Sequence, residues 1–257
     1  MTCRFIACSF GLALLLAANV ASAEDSSSQP ADWNGFYAGL AVGLSEATAD
    51  TQANTIGGLN YFTGTDPAQI DPEGRRDLDT ITFTGGVLAG LNWQFGNIVA
   101  GIEADVTHSE FDEQYSSGNI TYLTQPADTF NARTKVTSRW IVSVRPRVGY
   151  AHNNSLFFAS AGPAATRLDY DYFFSDTFNP LDTRFAESKL KLGWAAGVGY
   201  EHNLADGWSV KAEYLHTRFT NALKERNDIN TRFGADGFNH KVDYALNSVR
   251  IAMVKSF

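Results

Sequence analysis

The chain has 257 residues, 44% of them hydrophobic, 13% aromatic and only 19% charged, with 22 glycines and 7 prolines. So many aromatics with so little charge exclude a disordered chain, and a mean hydropathy of -0.20 excludes a bundle of apolar helical spans, each of which needs roughly 20 apolar residues. A formal charge of -8 and a pI near 5.1 point away from nucleic acid, whose phosphates are held by clustered Lys and Arg.

In chain order, the first feature is an export signal. Arg4 precedes an apolar run over 5–20, which ends in Ala21-Ser22-Ala23. A positive start, a short apolar core and a small-x-small ending predict a signal peptide over residues 1–23, cut after Ala23. Both cysteines, Cys3 and Cys8, leave with it, so the mature chain has neither a disulfide framework nor a thiolate metal site. Residues 24–32, Ser-rich and carrying Pro30, are expected to be a flexible periplasmic lead-in. Residues 33–257 then form one β domain.

From Trp33 onward the dominant period is two, the mark of strands with one apolar face. Eight runs carry it. Over 34–46, Phe36, Ala38, Leu40, Val42 and Leu44 oppose Tyr37, Gly39, Ala41, Gly43 and Ser45. Over 80–93, Ile81, Phe83, Val87, Leu91 and Trp93 oppose Thr82, Thr84, Gly86, Gly90 and Asn92. Over 98–111, Ile98, Ile102 and Val106 oppose Glu103 and Asp105, and over 134–150, Trp140, Val142, Val144, Val148 and Tyr150 oppose Ser143, Arg145 and Arg147. The run over 156–167 is apolar on both faces and cannot be oriented. Later runs cover 189–202, 208–219 and 242–257, with Lys211, Glu213 and Arg250 on the polar faces. Pro146 and Pro163 interrupt two of these strands, and bulges are expected at both because a proline lacks the ladder donor.

The connections alternate in length. Residues 94–97, 152–155 and 203–207 have the Asn, Gly and Asp chemistry of tight turns. The others, about 47–79, 112–133, 168–188 and 220–241, are long and polar. An antiparallel meander with short turns at one end and long loops at the other is how outer-membrane barrels are built. The large aromatics Trp33, Phe36, Trp93, Tyr150, Tyr200 and Trp208 fall where strands meet the short turns, as an interfacial girdle requires.

Four segments then resemble one family. Trp33-Asn-Gly-Phe-Tyr-Ala-Gly39, Gly193-Trp-Ala-Ala-Gly-Val-Gly-Tyr200, Trp208-Ser-Val-Lys-Ala-Glu-Tyr214 and the ending Ser248-Val-Arg-Ile-Ala-Met-Val-Lys-Ser-Phe257 are similar to the small Omp25/Omp31-like outer-membrane proteins of alphaproteobacteria. The long loops carry none of the likeness. The resemblance implies an all-β, eight-stranded, antiparallel up-and-down transmembrane barrel in the bacterial outer membrane. Its environment is then outer-membrane lipid and lipopolysaccharide. Its terminal strand, ending in Phe257, would be the signal read by the barrel assembly machinery. Lys255 departs from the family pattern, which places an aromatic there, and a lysine snorkelling at the rim can take its place.

For function, the inward faces supply Glu103, Asp105, Arg145, Arg147, Lys211, Glu213 and Arg250, three acids and four bases. Counted from the short-turn end, Glu103 and Arg145 reach similar heights and are expected to pair. The charges are read as a salt-bridged plug in a lumen that eight strands leave just wide enough for side chains; the alternative is a narrow porin-like channel. No spacing among His108, His152, His202, His216 and His240 marks a metal or nucleophile site, so neither catalysis nor a cofactor is expected. The expectation is therefore a non-catalytic envelope protein that contacts a host or surface ligand through its loops. Relatives of the kind it resembles include haem binders, but no loop motif here matches a haem ligand.

Overall fold

The computed structural model describes residues 31–57, 61–62, 64–178, 181–229 and 236–257. The expected signal peptide, and the lead-in up to Pro30, lie outside them. One compact unit begins at Ala31. Its strands are β1 (Gly35–Ile56), β2 (Arg75–Phe95), β3 (Ile98–Ser116), the two-residue β4 (Ile120–Thr121), β5 (Thr129–His152), β6 (Ser155–Asp176), β7 (Leu181–Asn203), β8 (Trp208–Asp228) and β9 (Gly237–Ser256); one helix, α1 (Asp66–Gly74), precedes β2. Each long strand pairs antiparallel with its neighbours in sequence, β1 pairs with β9, and β3 with β5, so eight strands close into a ring. All the expected strands are present.

The three tight turns fall at one end. Gly96, Asn153, Asp206 and Gly207 adopt the positive φ that such turns require. Around this half, the outward side chains form an apolar band with no protein cover: Leu40 is 67% exposed, Ile81 75% and Leu192 76%. Such a band is stable only against lipid, since water would make burying it favourable. The run left unoriented is now assigned: Phe157, Ala159, Ala161 and Pro163 face out, and Leu156, Phe158 and Ser160 face in.

At the other end the boundaries move. Most of what alternation assigned to long loops is strand: β1 runs on to Ile56, β6 to Asp176 and β8 to Asp228, while β2 starts at Arg75, β5 at Thr129, β7 at Leu181 and β9 at Gly237. Apart from local bulges the period of two continues, and its polarity inverts. In β6, Asp169 and Asp171 face out while Tyr170, Tyr172 and Phe174 are buried. Polar residues on the outer face made these stretches look like loops, although the inner face had turned apolar.

The ring also parts. Pairing of β2 with β3 stops at Thr84↔Ser109, and pairing of β7 with β8 stops at Trp194↔Arg218. Every other seam of the eight-stranded ring runs to the far end, as in Ile56↔Gly237 between β1 and β9. The far half is therefore two four-stranded sheets, β2-β1-β9-β8 and β3-β5-β6-β7, facing each other as a sandwich. Phe238 meets Phe174 and Tyr172 across the gap at 5.2 and 5.0 Å, and Phe111 meets Tyr244 at 5.3 Å. Aromatic pairs of this kind stabilise by roughly 1 kcal/mol beyond the area they bury.

The two seams are closed differently. At β2–β3, α1 spans the sheets: Asp71 accepts from Thr55 N–H of β1 at 2.8 Å, Glu73 from the Tyr115 hydroxyl of β3 at 2.6 Å, and Gln69 donates to Thr121 O of β4 at 3.2 Å. At β7–β8, Lys189 Nζ meets Glu225 Oε1 at 2.7 Å, and Phe185 stacks on His240 at 4.6 Å.

Neither proline makes a bulge. The register between β6 and β7 runs unbroken through Pro163↔Trp194, and that between β3 and β5 through Ile102↔Pro146. Between β5 and β6 the pairing lapses from Ser143↔Ala164 to Arg147↔Ser160 but resumes in the same register. The two missing N–H groups fall in this one seam, so the strands lose ladder bonds without inserting a residue. The true register shifts lie at His108/Phe111, Ser138/Ile141 and Phe219/Leu223, where the lipid-facing half meets the sandwich.

Candidate functional site

The lumen of the lipid-facing half follows from strand parity: if apolar side chains face lipid, the alternate positions face the axis. The seven expected charges converge there, each at most 4% exposed. Glu103 and Arg145 are direct register partners, and Arg145 Nη2 donates to Glu103 Oε1 at 2.8 Å. Arg145 Nη1 reaches Asp105 at 2.6 Å, and Nη2 also contacts Glu213 at 3.3 Å. Lys211 Nζ lies 2.7 Å from both Glu103 oxygens. Arg250 spans Glu213 at 2.7 Å and Asp105 at 3.2 Å.

One member was missed. Glu201 of β7 is 3% exposed and accepts from Arg147 at 3.2 Å and from Ser209 Oγ at 2.6 Å. It supplies the fourth acid, so four carboxylates face four cations. Its position on the polar face of its run, level with Lys211 across the turn, was the available signal; the two are register partners. Unpaired charge in such a site is costly, whereas a balanced and hydrogen-bonded cluster is tolerated.

Aromatics seal the cluster on the short-turn side. Tyr37 donates to Glu103 at 2.9 Å, and its ring lies 4.9 Å from the Arg147 guanidinium carbon. Phe158 faces both Arg147 and Lys211 at 4.8 Å. These rings fit because glycines oppose them: a Cβ on Gly90 would meet Tyr37 Cζ at 2.3 Å, and one on Gly199 would meet Phe158 Cζ at 2.3 Å. Below them, Trp33 packs with Val99, Ala151, Leu156 and Phe158. Trp33 therefore leaves the expected girdle. It is 5% exposed, because its backbone N–H is held by Gln94 Oε1 at 2.8 Å and the chain turns inward beneath the barrel.

The other girdle residues face outward at this end: Phe36, Trp93, Tyr150 and Trp208 are exposed, and Tyr200 is half-exposed against Phe157. Phe257 stacks near Phe36 at 5.8 Å, and its N–H donates to the Phe36 carbonyl at 2.9 Å. The Lys255 amine bends back to the Asp206 carbonyl and over the Trp208 ring, snorkelling at the rim.

Above the charges comes a layer of hydroxyls, Ser45, Thr84, Ser109, Thr217 and Ser248, around a void of about 20 Å³. That is room for a single water molecule. The aromatic core of the sandwich follows, capped by Phe62, whose backbone N–H is held by Asp236, and by Tyr61 and Tyr122, which both donate to Asp176 at 2.9 and 2.7 Å. Burial and the Asp176 charge push both phenol pKa values up, so these caps stay neutral donors.

The histidines remain apart. His152 and His202 lie at the short-turn end, His108 packs on Trp140 at 4.7 Å, and His216 bonds Asn247 at 2.8 Å. His240 is buried in the sandwich between the Tyr170 hydroxyl at 3.0 Å and Asn227 Oδ1 at 2.6 Å. Burial drives its pKa down to about 3, so it packs as a neutral ring. Among the described residues no group of three His, Cys, Asp or Glu is placed to hold a metal.

The family model and the named relatives agree with this architecture. A family model described as an outer membrane protein beta-barrel domain matches residues 10–245. The 31 kDa outer-membrane immunogenic protein of Brucella melitensis is 29% identical over 242 residues, covering 90% of this chain and 92% of that protein. The 25 kDa outer-membrane immunogenic protein of Brucella canis is 28% identical over 189 residues, 74% of this chain and 67% of that one. Among solved structures, OprG of Pseudomonas aeruginosa aligns over 87% of this chain and 97% of its own, with 10% identity and a TM-score of 0.44.

Proposed function

The chain belongs to the outer membrane protein beta-barrel family and resides in the outer membrane, and from that premise we propose that it is a sealed, non-catalytic envelope barrel that presents a rigid contact surface outside the cell. The observation that carries this reading is the stacking inside the ring. An aromatic floor, a neutral eight-charge cluster, a hydroxyl layer and an aromatic sandwich core follow one another along the axis. A channel needs a continuous polar path wide enough for hydrated ions, whereas each of these layers is filled by side chains.

Contact then falls to the outer faces and tips of the sandwich. Sheets hold such a surface more firmly than free loops, which reduces the ordering cost of binding. The names of the Brucella relatives, outer-membrane immunogenic proteins, suit a part that stands clear of the bilayer.

Planar-bilayer recording tests the sealed lumen: purified protein gives no steady single-channel conductance. A stable ohmic step would instead support the porin-like alternative. Intact-cell binding of host or surface ligands, compared with cells carrying a variant whose 117–128 connection is shortened to a tight turn, tests the contact role. Equal binding by both would remove it.

A further inference from the structure

The outer wall of the barrel is electrically polarised where the apolar band ends. On β1, β2 and β3 the first charged outward residue above the band is an acid: Glu46 above Leu44, Asp79 above Ile81, and Glu110 above Val106 and His108. On β5, β6 and β8 it is an arginine: Arg139 above Trp140, Arg167 above Ala165, and Arg218 above Tyr214 and His216. Arg218 acts on Asp50 and Asp243, and Arg139 on Asp112, whose own ion pair is with Lys135 at 2.7 Å. Arg139 and Arg167 sit together on the far wall.

A backbone device places them. In β5 the alternation breaks for one step: Thr137 and Ser138 are both buried, and Arg139 and Trp140 are both exposed. This is the bulge between Ser138 and Ile141, where Arg139 and Trp140 together oppose Arg167 of β6. A bulge re-aims a side chain, and here it turns a cation outward that strict alternation would send into the core. It is pinned from within, because Thr166 Oγ1 donates to the Trp140 carbonyl at 2.9 Å and lies 2.9 Å from Ser138 Oγ. The Arg167 side chain is 73% exposed, with Nε on Ser188 Oγ at 2.9 Å and Asp169 3.9 Å away.

We infer that Arg139 and Arg167, with the Trp140 indole beneath them, bind a phosphate group on the headgroup of an outer-leaflet glycolipid. The level is right, because the two guanidinium groups stand at the edge of the lipid-facing band, where headgroups begin. The chemistry is right too, since arginine forks match phosphate oxygens, and an indole favours the membrane–water interface. Glu110 falls in the bulge that faces Arg139, whereas Glu46 and Asp79 stand across the ring on β1 and β2. Those two acids repel the same group, so the lipid shell around the barrel is one-sided.

The test uses the full chain, purified in mild detergent, stripped of lipid and placed in nanodiscs with EDTA to remove bridging cations. Native mass spectrometry counts bound diphosphorylated lipid A against the enzymatically dephosphorylated form. The wild type prefers the phosphorylated form by about tenfold, equivalent to about 1.4 kcal/mol. Arg139→Gln with Arg167→Gln abolishes that preference, and Glu46→Gln with Asp79→Asn on the opposite wall retains it. Heat-modifiable migration on gels establishes that each variant is folded, and Arg167→Gln alone, expected to reduce the preference severalfold, replaces a double variant that is not. Equal binding of both lipids by the wild type, an undiminished preference in the folded variant, or displacement of the lipid by equimolar inorganic phosphate would each overturn the inference. Because the readout is lipid binding, its failure leaves the sealed-lumen reading untouched.

Discussion

The lipid-facing half and the sandwich half use the same eight strands with opposite polarity. In the first, apolar residues such as Leu40 and Ile81 face out, and Glu103, Arg145 and Lys211 face in. In the second, Asp169 and Asp171 face out, and Tyr172, Phe174 and Phe238 face in. The solvent on the outside explains the inversion. Lipid accepts apolar side chains and forces polar ones to the axis, whereas water does the reverse. Closure also differs. Lipid does not tolerate an open strand edge, and up to Thr84↔Ser109 and Trp194↔Arg218 all eight strands close into a ring. The lapse opposite the two prolines, between β5 and β6, is the exception. Once the wall enters water, edges can be solvated, and the ring relaxes into two sheets that pack face to face.

This contrast can be broken most severely from the charge cluster. Arg145→Ala leaves Glu103, Asp105 and Glu213 short of their shared cation, a change that costs about 3–5 kcal/mol when a buried pair is broken. Urea titration in micelles, followed by loss of heat-modifiable migration, should show a lower midpoint for the whole barrel. An unchanged midpoint would mean that the cluster is hydrated and contributes little.

Phe238→Ala, costing about 3 kcal/mol for a large-to-small core change, should instead act on one half. Phe238 bridges the sheets through Phe174 and Tyr172. Limited proteolysis should cut within the sandwich while the lipid-facing half keeps its gel shift. Cooperative loss of both halves would show that they do not fold as separable units.

Acid should distinguish the halves less strongly. His240 lies in the sandwich, outside the lipid band, and its pKa falls from 6.5 in the unfolded chain to about 3. The folded state disfavours the proton, so the stability from burying the neutral ring is complete above pH 6.5. It is lost as pH falls toward 3, by at most about 1.4 kcal/mol per unit. Protection factors of the Tyr170 and Asn227 amides, corrected for the intrinsic exchange rate, should fall between pH 6 and pH 4 in the wild type but not in His240→Phe. Identical profiles would assign the effect to other groups.

The smallest effect belongs to the bare seam. Lys189→Ala removes a half-exposed ion pair with Glu225, so the unfolding midpoint should hardly move. Exchange of the β7 and β8 amides above Trp194↔Arg218 should still quicken a few-fold. No change would mean that Phe185 on His240 suffices to hold the seam.

Much of this was legible in the residues. Clean alternation over 98–106 and 140–150 located two strands and set Glu103 opposite Arg145, because a period of two assigns faces without any tertiary knowledge. Glu201 was legible too, on the polar face of its run just before a turn. Trp33 was not. An aromatic at the foot of a strand suits the rim or the floor equally well, and only the bond from its N–H to Gln94 sends it inside.

By itself, the sequence determined the number and order of strands, the lipid-facing side of each clean run, and most of the buried charges. Each of these is a local property, carried by the period of two and by turn chemistry. The tertiary structure alone decided the inward turn of Trp33, the parting of the wall along two seams, the sandwich built from apparent loops, and the bulge that turns Arg139 toward the membrane edge. Those depend on which residues become neighbours across strands far apart in the chain, and on whether lipid or water lies outside the wall at each height.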